Sequence, residues 1–329
     1  MRRTAVAILV LIAVVVPAAL SSFERILAAQ AAIAGLIVLS LVVLTGFVGQ
    51  VSFCQYSFAA IGAFSVGSLV AGHHWNFWAA LPVGVLAAAV VGVLVGIPAL
   101  RLSGLFLAIL TVAVALLFDR YVFASNTFNF FSGGITPWRP PRPTLFGLHL
   151  TGAYTFYLFV LGVFLLATLL VWNLRTAKAG RVLRAIRDSE VAASTVGLDV
   201  TAWKLAAFGL SAALAGLAGG LQAVSINSVS AASYDFQHSL QVAAIAIVWG
   251  VGAVASAGFG GAFLVYGPEV LRHTPLSNQW FPAIVGLALI VQLVFTPDGI
   301  VVDAERRFRH LVPVSEPRTA PAEQPVGVG

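Results

Sequence analysis

The sequence predicts an all-α, polytopic integral membrane protein of eight to ten transmembrane helices, with some segments broken or re-entrant. Three observations carry this. Of the 329 residues, 60% are hydrophobic and only 9% are charged, with a mean hydropathy of +0.98. A soluble domain carries roughly 25% charged residues, so a chain this poor in charge must present much of its surface to lipid. Apolar runs recur along almost the whole length, and glycine and proline interrupt several of them. Backbone freed at such breaks is tolerated at membrane depth only where protein or a water-filled cavity surrounds it.

The elements follow in order. Met1-Arg2-Arg3 precedes an apolar run over 5–20, which has the charged and apolar regions of a secretory signal. Further spans follow at once, so it is read as an uncleaved first span. Apolar runs then fall near 26–45, 53–71, 79–99, 103–122, 153–174, 204–224, 239–256, 260–274 and 281–296. Several are shorter than the roughly 20 residues a full span needs, and 239–274 also reads as a re-entrant hairpin. The loop 123–152 contains Asn126, Ser132-Gly133-Gly134 and the run from Pro137 to Pro143, whose prolines make it stiff and non-helical. Trp75, Trp78 and Trp138 fall where an interfacial aromatic belt belongs. Residues 1–312 form the membrane domain, and 313–329, rich in Pro, Ala and Glu, read as a disordered tail.

Orientation follows from the basic residues. With the N-terminus inside and the runs alternating, thirteen of the 18 Lys and Arg fall on the cytoplasmic side and five outside. The positive-inside rule therefore puts both termini in the cytoplasm, with 175–204 a cytoplasmic loop and 123–152 an external one. The same loop excess accounts for the net charge of +6; the dispersed basic residues do not form a nucleic-acid surface. One cysteine, Cys54, excludes an internal disulfide.

The loop 175–204 is the only long polar segment between apolar runs. Arg175, Lys178, Arg181, Arg184 and Arg187 alternate with Val182, Leu183 and Ile186, which predicts an amphipathic helix over 179–194. Such a helix can dock a soluble partner, or the charges can serve only to fix orientation.

Catalytic signals are absent from the chain. Neither Lys178 nor Lys204 follows glycine in P-loop spacing. His73-His74 has no neighbouring ligand to complete a metal site. Asp235 and His238 share helical spacing, for which helix capping is the first reading and a proton relay the second. Ionisable residues are almost missing from the runs, with Asp119-Arg120 and Glu269-Arg272 near their ends. This disfavours a proton-driven pump and favours a path for a neutral or zwitterionic solute. The glycine-rich stretch 46–64 brings Gln50, Ser52, Gln55, Tyr56 and Ser57 into an apolar context, either as a polar path or as tight helix packing. For Gly250 to Gly261 the packing reading is preferred.

Several of these residues together resemble a known family. Gly49-Gln50-Val51-Ser52, Phe58 and Gly62-Ala63-Phe64 are similar to the early motif of permeases of the branched-chain amino-acid ABC transporters. Cys54 and Ala60 stand where that family usually has glycine. Pro98 to Leu102, Gly104 to Ile109, Gly133-Gly134, Arg184 to Gly197 and Pro297-Asp298-Gly299 extend the likeness from about Gly35 to Gly299. The resemblance implies a non-enzymatic permease subunit in a bacterial inner membrane, without a cofactor. It also implies a second related permease, two cytoplasmic ATPase subunits and an external solute-binding protein. Residues 191–197 have the spacing of the family's ATPase-docking loop, with Val191 at its glutamate position and Glu190 one residue early. Arg184, Arg187, Asp188, Glu190, Ala192, Ala193 and Gly197 are then the coupling residues, and Gln50, Ser52, Gln55, Tyr56 and Ser57 the pathway candidates. The alternatives are a stand-alone facilitator for a small neutral solute such as urea or an amide, and a membrane scaffold.

Overall fold

The computed structural model describes residues 17, 20–123, 138–145, 148–149, 152–273, 278–296 and 299–311. Most of the N-terminal run, Asn126, Gly133-Gly134, Pro297-Asp298 and the tail 313–329 lie outside the described residues.

The chain is a bundle of helices. Helix α1 (Ser22–Leu41) widens into a π turn over Val42–Phe47. Helix α2 (Gln55–Gly67) ends the same way over Ser68–Gly72. Then come α3 (Phe77–Ala99), α4 (Leu105–Leu117, with a π turn to Phe123), α5 (Ala153–Thr176), α6 (Lys178–Asp188), α7 (Glu190–Thr195) and α8 (Val200–Ile226). The last four are α9 (Phe236–Trp249), α10 (Ser256–Arg272), α11 (Phe281–Phe295) and α12 (Ile300–Leu311). A two-residue hairpin, β1 (Thr144–Leu145) on β2 (Leu148–His149), is the one sheet among the described residues.

Six of the described helices are long and apolar enough to cross a membrane. Helices α2, α9 and α10 correspond to predicted runs but are shorter than a full span needs. At 14 residues α9 is about 21 Å long, less than the roughly 30 Å hydrocarbon core.

Two helices form the centre. The spans of α1 and α8 are each 78% buried, whereas those of α4 and α11 are 17% and 19% buried. Side-chain size explains the contrast. Lipid is as apolar as leucine, so helices associate through close van der Waals packing of small residues. Helix α8 is rich in Ala and Gly, and it packs on α1, α2 and α3. Helix α3 meets it with a stripe four residues apart: Ala80, Gly84, Ala88, Gly92 and Gly96, all buried. Its other face, Leu86, Val90, Leu94 and Ile97, is exposed. On the far side of α1, Gly261 of α10 packs against the backbone of Ala31 and Gly35. The Gly250 to Gly261 stretch thus provides both a turn, with Gly250 at φ +96°, and a close helix contact.

Two local expectations change. The single helix over 179–194 is two helices, broken at Ser189. Serine prefers the cap to the helix interior; here its backbone is extended and its Oγ accepts from Ala192 N, 3.2 Å away, starting α7. Trp138 is no free belt anchor: it covers Gly67 and Gly72 at the end of α2, and its carbonyl accepts from Val229 N at 2.9 Å.

Candidate functional site

The site is built around the break between α1 and α2. After the π turn the chain runs irregularly through 49–54, with Gly49 at φ +77°. Each freed backbone group needs a partner at this depth. Gln50 N donates to Leu44 O (3.2 Å), Thr45 Oγ1 to Gln50 O (3.1 Å), Phe53 N to Thr111 Oγ1 (3.2 Å) and Tyr56 N to Ser239 Oγ (3.2 Å).

Gln55 opens α2 inside a buried polar knot. Its Oε1 accepts from Ser40 Oγ at 3.0 Å, and its Nε2 donates to Ser211 Oγ at 3.2 Å and Ser52 Oγ at 3.4 Å. Ser211 Oγ donates to Ser40 O at 2.8 Å. The knot ties α1, α2 and α8 together. Replacing Gln55 with leucine keeps the volume but removes these bonds, at about 1–3 kcal/mol. A lower unfolding midpoint in detergent is expected for Gln55→Leu; an unchanged midpoint would deny the knot a structural role.

Beside the knot a cavity of about 270 Å³ opens among α1, α2, α8, α9, α10 and α11. Its polar wall is Gln30, Tyr56, Gln222, His238 and Gln241; Leu27, Ile33, Ile37, Leu264 and Phe281 contribute much of the apolar wall. No Asp, Glu, Lys or Arg lines it. Helix α9 begins at this wall. Asp235 caps it, its Oδ1 accepting from His238 N at 3.1 Å and meeting Nδ1 of the same ring. That contact holds the imidazole against Tyr56, with ring centroids 5.5 Å apart. The capping reading of Asp235 thus holds, and the cap also orients His238.

Of the residues chosen from sequence for a pathway, Tyr56 lines this cavity. Gln55 and Ser52 are in the knot, Ser57 is buried on α2, and Gln50 is buried with no partner for its Oε1 among the described residues. Gln30, Gln222 and Gln241 were missed. Each is a single carboxamide in an apolar run, and nothing in the sequence signals that three such amides converge.

At one end of the bundle α6 and α7 lie across the ends of the two central helices. Leu183 and Ile186 of α6 are buried. Arg187 Nη1 donates to Gly46 O, in the last turn of α1, at 2.6 Å, and its side chain lies along Gly49. Arg184 folds onto its own loop, donating to Gly180 O and Arg175 O. Glu190 of α7 pairs with Lys204 of α8 at 2.6 Å, and the lysine side chain is only 4% exposed. Ala193 is buried, while Asp188 and Ala192 are exposed. Gly197, at φ +85°, ends α7, its N–H donating to Ser194 O at 3.0 Å. Val191 and Val196 stand 75% and 81% exposed, a small apolar surface that the charged residues had drawn attention away from.

A family model described as "Branched-chain amino acid transport system / permease component" matches residues 24–293. The chain belongs to this permease family. The match takes in every residue lining the cavity and the whole of α6 and α7. The permease is similar to the high-affinity branched-chain amino acid transport system permease protein LivM of Salmonella typhimurium and to that of Escherichia coli. Each is 30% identical over 286 residues, covering 80% of this chain and 66% of the relative. The permease thus spans just under two thirds of the length of these curated relatives. No solved structure matches the chain. With the family shown, the permease is a membrane transport component rather than an enzyme.

Proposed function

We propose that this permease forms, with a second homologous permease, the transmembrane path of a bacterial ABC importer for branched-chain or related amino acids. The α6–α7 end faces the cytoplasm of an inner-membrane assembly, with both chain termini on that side. Two ATPase subunits dock there, and an external solute-binding protein delivers the solute. The observation that carries this reading is the α6–α7 pair. It offers the exposed Val191 and Val196 outward and holds α1 and α8 inward through Arg187 and Lys204. On ATP binding the ATPases draw together and displace α7. Those two contacts pass the movement to the central helices, and the cavity they border changes its access.

Purification from the native membrane in mild detergent tests the reading. A P-loop ATPase and a second hydrophobic subunit are expected in similar amounts. Val196→Glu places a charge on the exposed residue that ends α7 and is expected to lose the ATPase while the permease elutes as a folded protein. A wild-type permease that always purifies alone would defeat the importer reading and favour a stand-alone facilitator.

A further inference from the structure

We infer that the face formed by α4, α9 and α11 is where the second permease packs, with the outer stripe of α9 at its centre. The inference rests on the importer reading for the existence of that partner. Helix α9 packs against both α4 and α11. Its Ser239, Val242, Ala243 and Ala246 are buried in the bundle. Gln237, Leu240, Gln241 and Ala244 run along the opposite side in i, i+3, i+4, i+7 spacing. Gln237 is exposed, Leu240 is 40% exposed, and Gln241 and Ala244 are half-buried.

Depth makes those carboxamides costly. The carbonyl of Val251, just past α9, lies against Gly46 in the last turn of α1. From that end the α1 span rises about 39 Å over its 26 residues, against about 21 Å for α9. The first turns of α9 therefore stop well short of the outer end of α1. His238 and Gln241 share a wall with Gln30, Ile33 and Ile37 instead. The side chains of Gln237 and Gln241 make no hydrogen bond among the described residues, and hydrocarbon supplies none. Other exposed faces suit lipid, with Leu86, Val90 and Leu94 on α3 and Leu166, Leu169 and Leu170 on α5.

The occupant follows from the same features. At this depth a soluble ATPase or binding protein has no access, so the cover is another membrane helix. Membrane helices associate through small residues and interhelical hydrogen bonds, and Ala244 with the two glutamines offers both. Carboxamides donate and accept at once, so two such stripes complement each other without charge. The exposed residues to either side, among them Leu116 and Leu117 of α4 and Leu287 and Ile290 of α11, are uncharged. A related subunit presenting an equivalent face meets no like-charge repulsion there.

A photo-crosslinking residue, p-benzoyl-L-phenylalanine, placed at Leu240 in the complete transporter in its native membrane tests this. Leu94 on α3 and Leu169 on α5 are the comparison positions. Illumination is expected to join position 240 to the second hydrophobic subunit, identified by mass spectrometry, and to leave the other two positions without that adduct. Gln237→Leu combined with Gln241→Leu is expected to lower the amount of second permease retained in mild detergent at least about threefold. Thermal unfolding confirms that the double variant is folded. In a preparation that holds both the ATPase and the second permease, three results remove the interface and leave the importer reading standing: no adduct at position 240, an adduct at position 94 or 169 instead, or full retention by the double variant. A preparation without ATPase, in which the adduct at position 240 contains only two copies of this chain, removes the importer reading and assigns the face to a homodimer.

Discussion

Gly219→Leu is expected to abolish accumulation of the folded permease. At this position α8 crosses α2 with backbone against backbone. A Cβ on Gly219 would lie 1.7 Å from the carbonyl oxygen of Ala59 and 2.5 Å from its carbon. The neighbouring contact is as close from the other side, where a Cβ on Gly62 would lie 2.1 Å from Gly216 O. No side chain can swing aside to relieve either approach, so the helices must separate. Separation also pulls Gln55 away from Ser211, because that bond spans the same two helices. Overpacking against movable side chains costs about 1–3 kcal/mol; here the obstacle is main chain and the loss is larger. The check is fluorescence-detected size exclusion of tagged protein in mild detergent. Gly162→Ala on α5 and Gly286→Ala on α11 serve as controls, since a Cβ there meets nothing within 4 Å. A monodisperse Gly219→Leu peak at wild-type height would mean that α2 and α8 do not cross at this point.

That crossing also shows what could and could not be read from the residues in order. Element positions were legible because run length is set by membrane thickness. The run 26–45 became the span Ser22–Phe47, 79–99 became Phe77–Ala99, and 204–224 became Val200–Ile226. The resemblance carried by Gly49 to Phe64 and Arg184 to Gly197 led to the family that the comparisons then showed. Which helices lie at the centre was harder to see. In water the apolar face marks the core, but in lipid both faces are apolar and the distinction passes to side-chain size. The stripe from Ala80 to Gly96 holds that information, in small residues spaced four apart rather than in a dense run of glycine. The cavity depends on longer-range geometry. Gln30 and Gln222 are far apart in sequence, and only the packing of α1, α2 and α8 brings both to one wall. Ser189 is a smaller case. Its cap interaction with Ala192 outweighed the continuous apolar spacing of 179–194 and split one helix into two.

The split at Ser189 matters most for Lys204→Met, which is expected to uncouple ATP hydrolysis from uptake in the importer assembly proposed above. Because α7 is a separate helix, its hold on the bundle rests heavily on the Glu190–Lys204 pair, with Arg187 acting from α6. Lys204 is buried and forms an ion pair with Glu190 at 2.6 Å. Methionine fills a similar volume without the charge, so the start of α8 stays packed while its tie to α7 is lost. Glu190→Gln instead leaves the lysine charge beside a neutral amide. Breaking a fully buried ion pair from one side costs about 3–5 kcal/mol; Glu190 is 55% exposed, so water reduces that figure here. The more destabilised variant should therefore be Glu190→Gln, and the double variant Glu190→Gln with Lys204→Met should recover stability without recovering transport. For Lys204→Met the expectation is ATPase subunits still bound and ATP hydrolysis largely retained, with uptake per ATP reduced about tenfold or more, because hydrolysis no longer moves the central helices. Arg187→Ala, which releases the end of α1 at Gly46, should lower the same ratio independently. Proteoliposome measurements of solute uptake alongside phosphate release decide the matter. Wild-type stoichiometry in both variants would mean that α7 moves the bundle by some route other than its contacts with α1 and α8. A fall in hydrolysis and uptake by equal factors would point to lost docking rather than lost transmission.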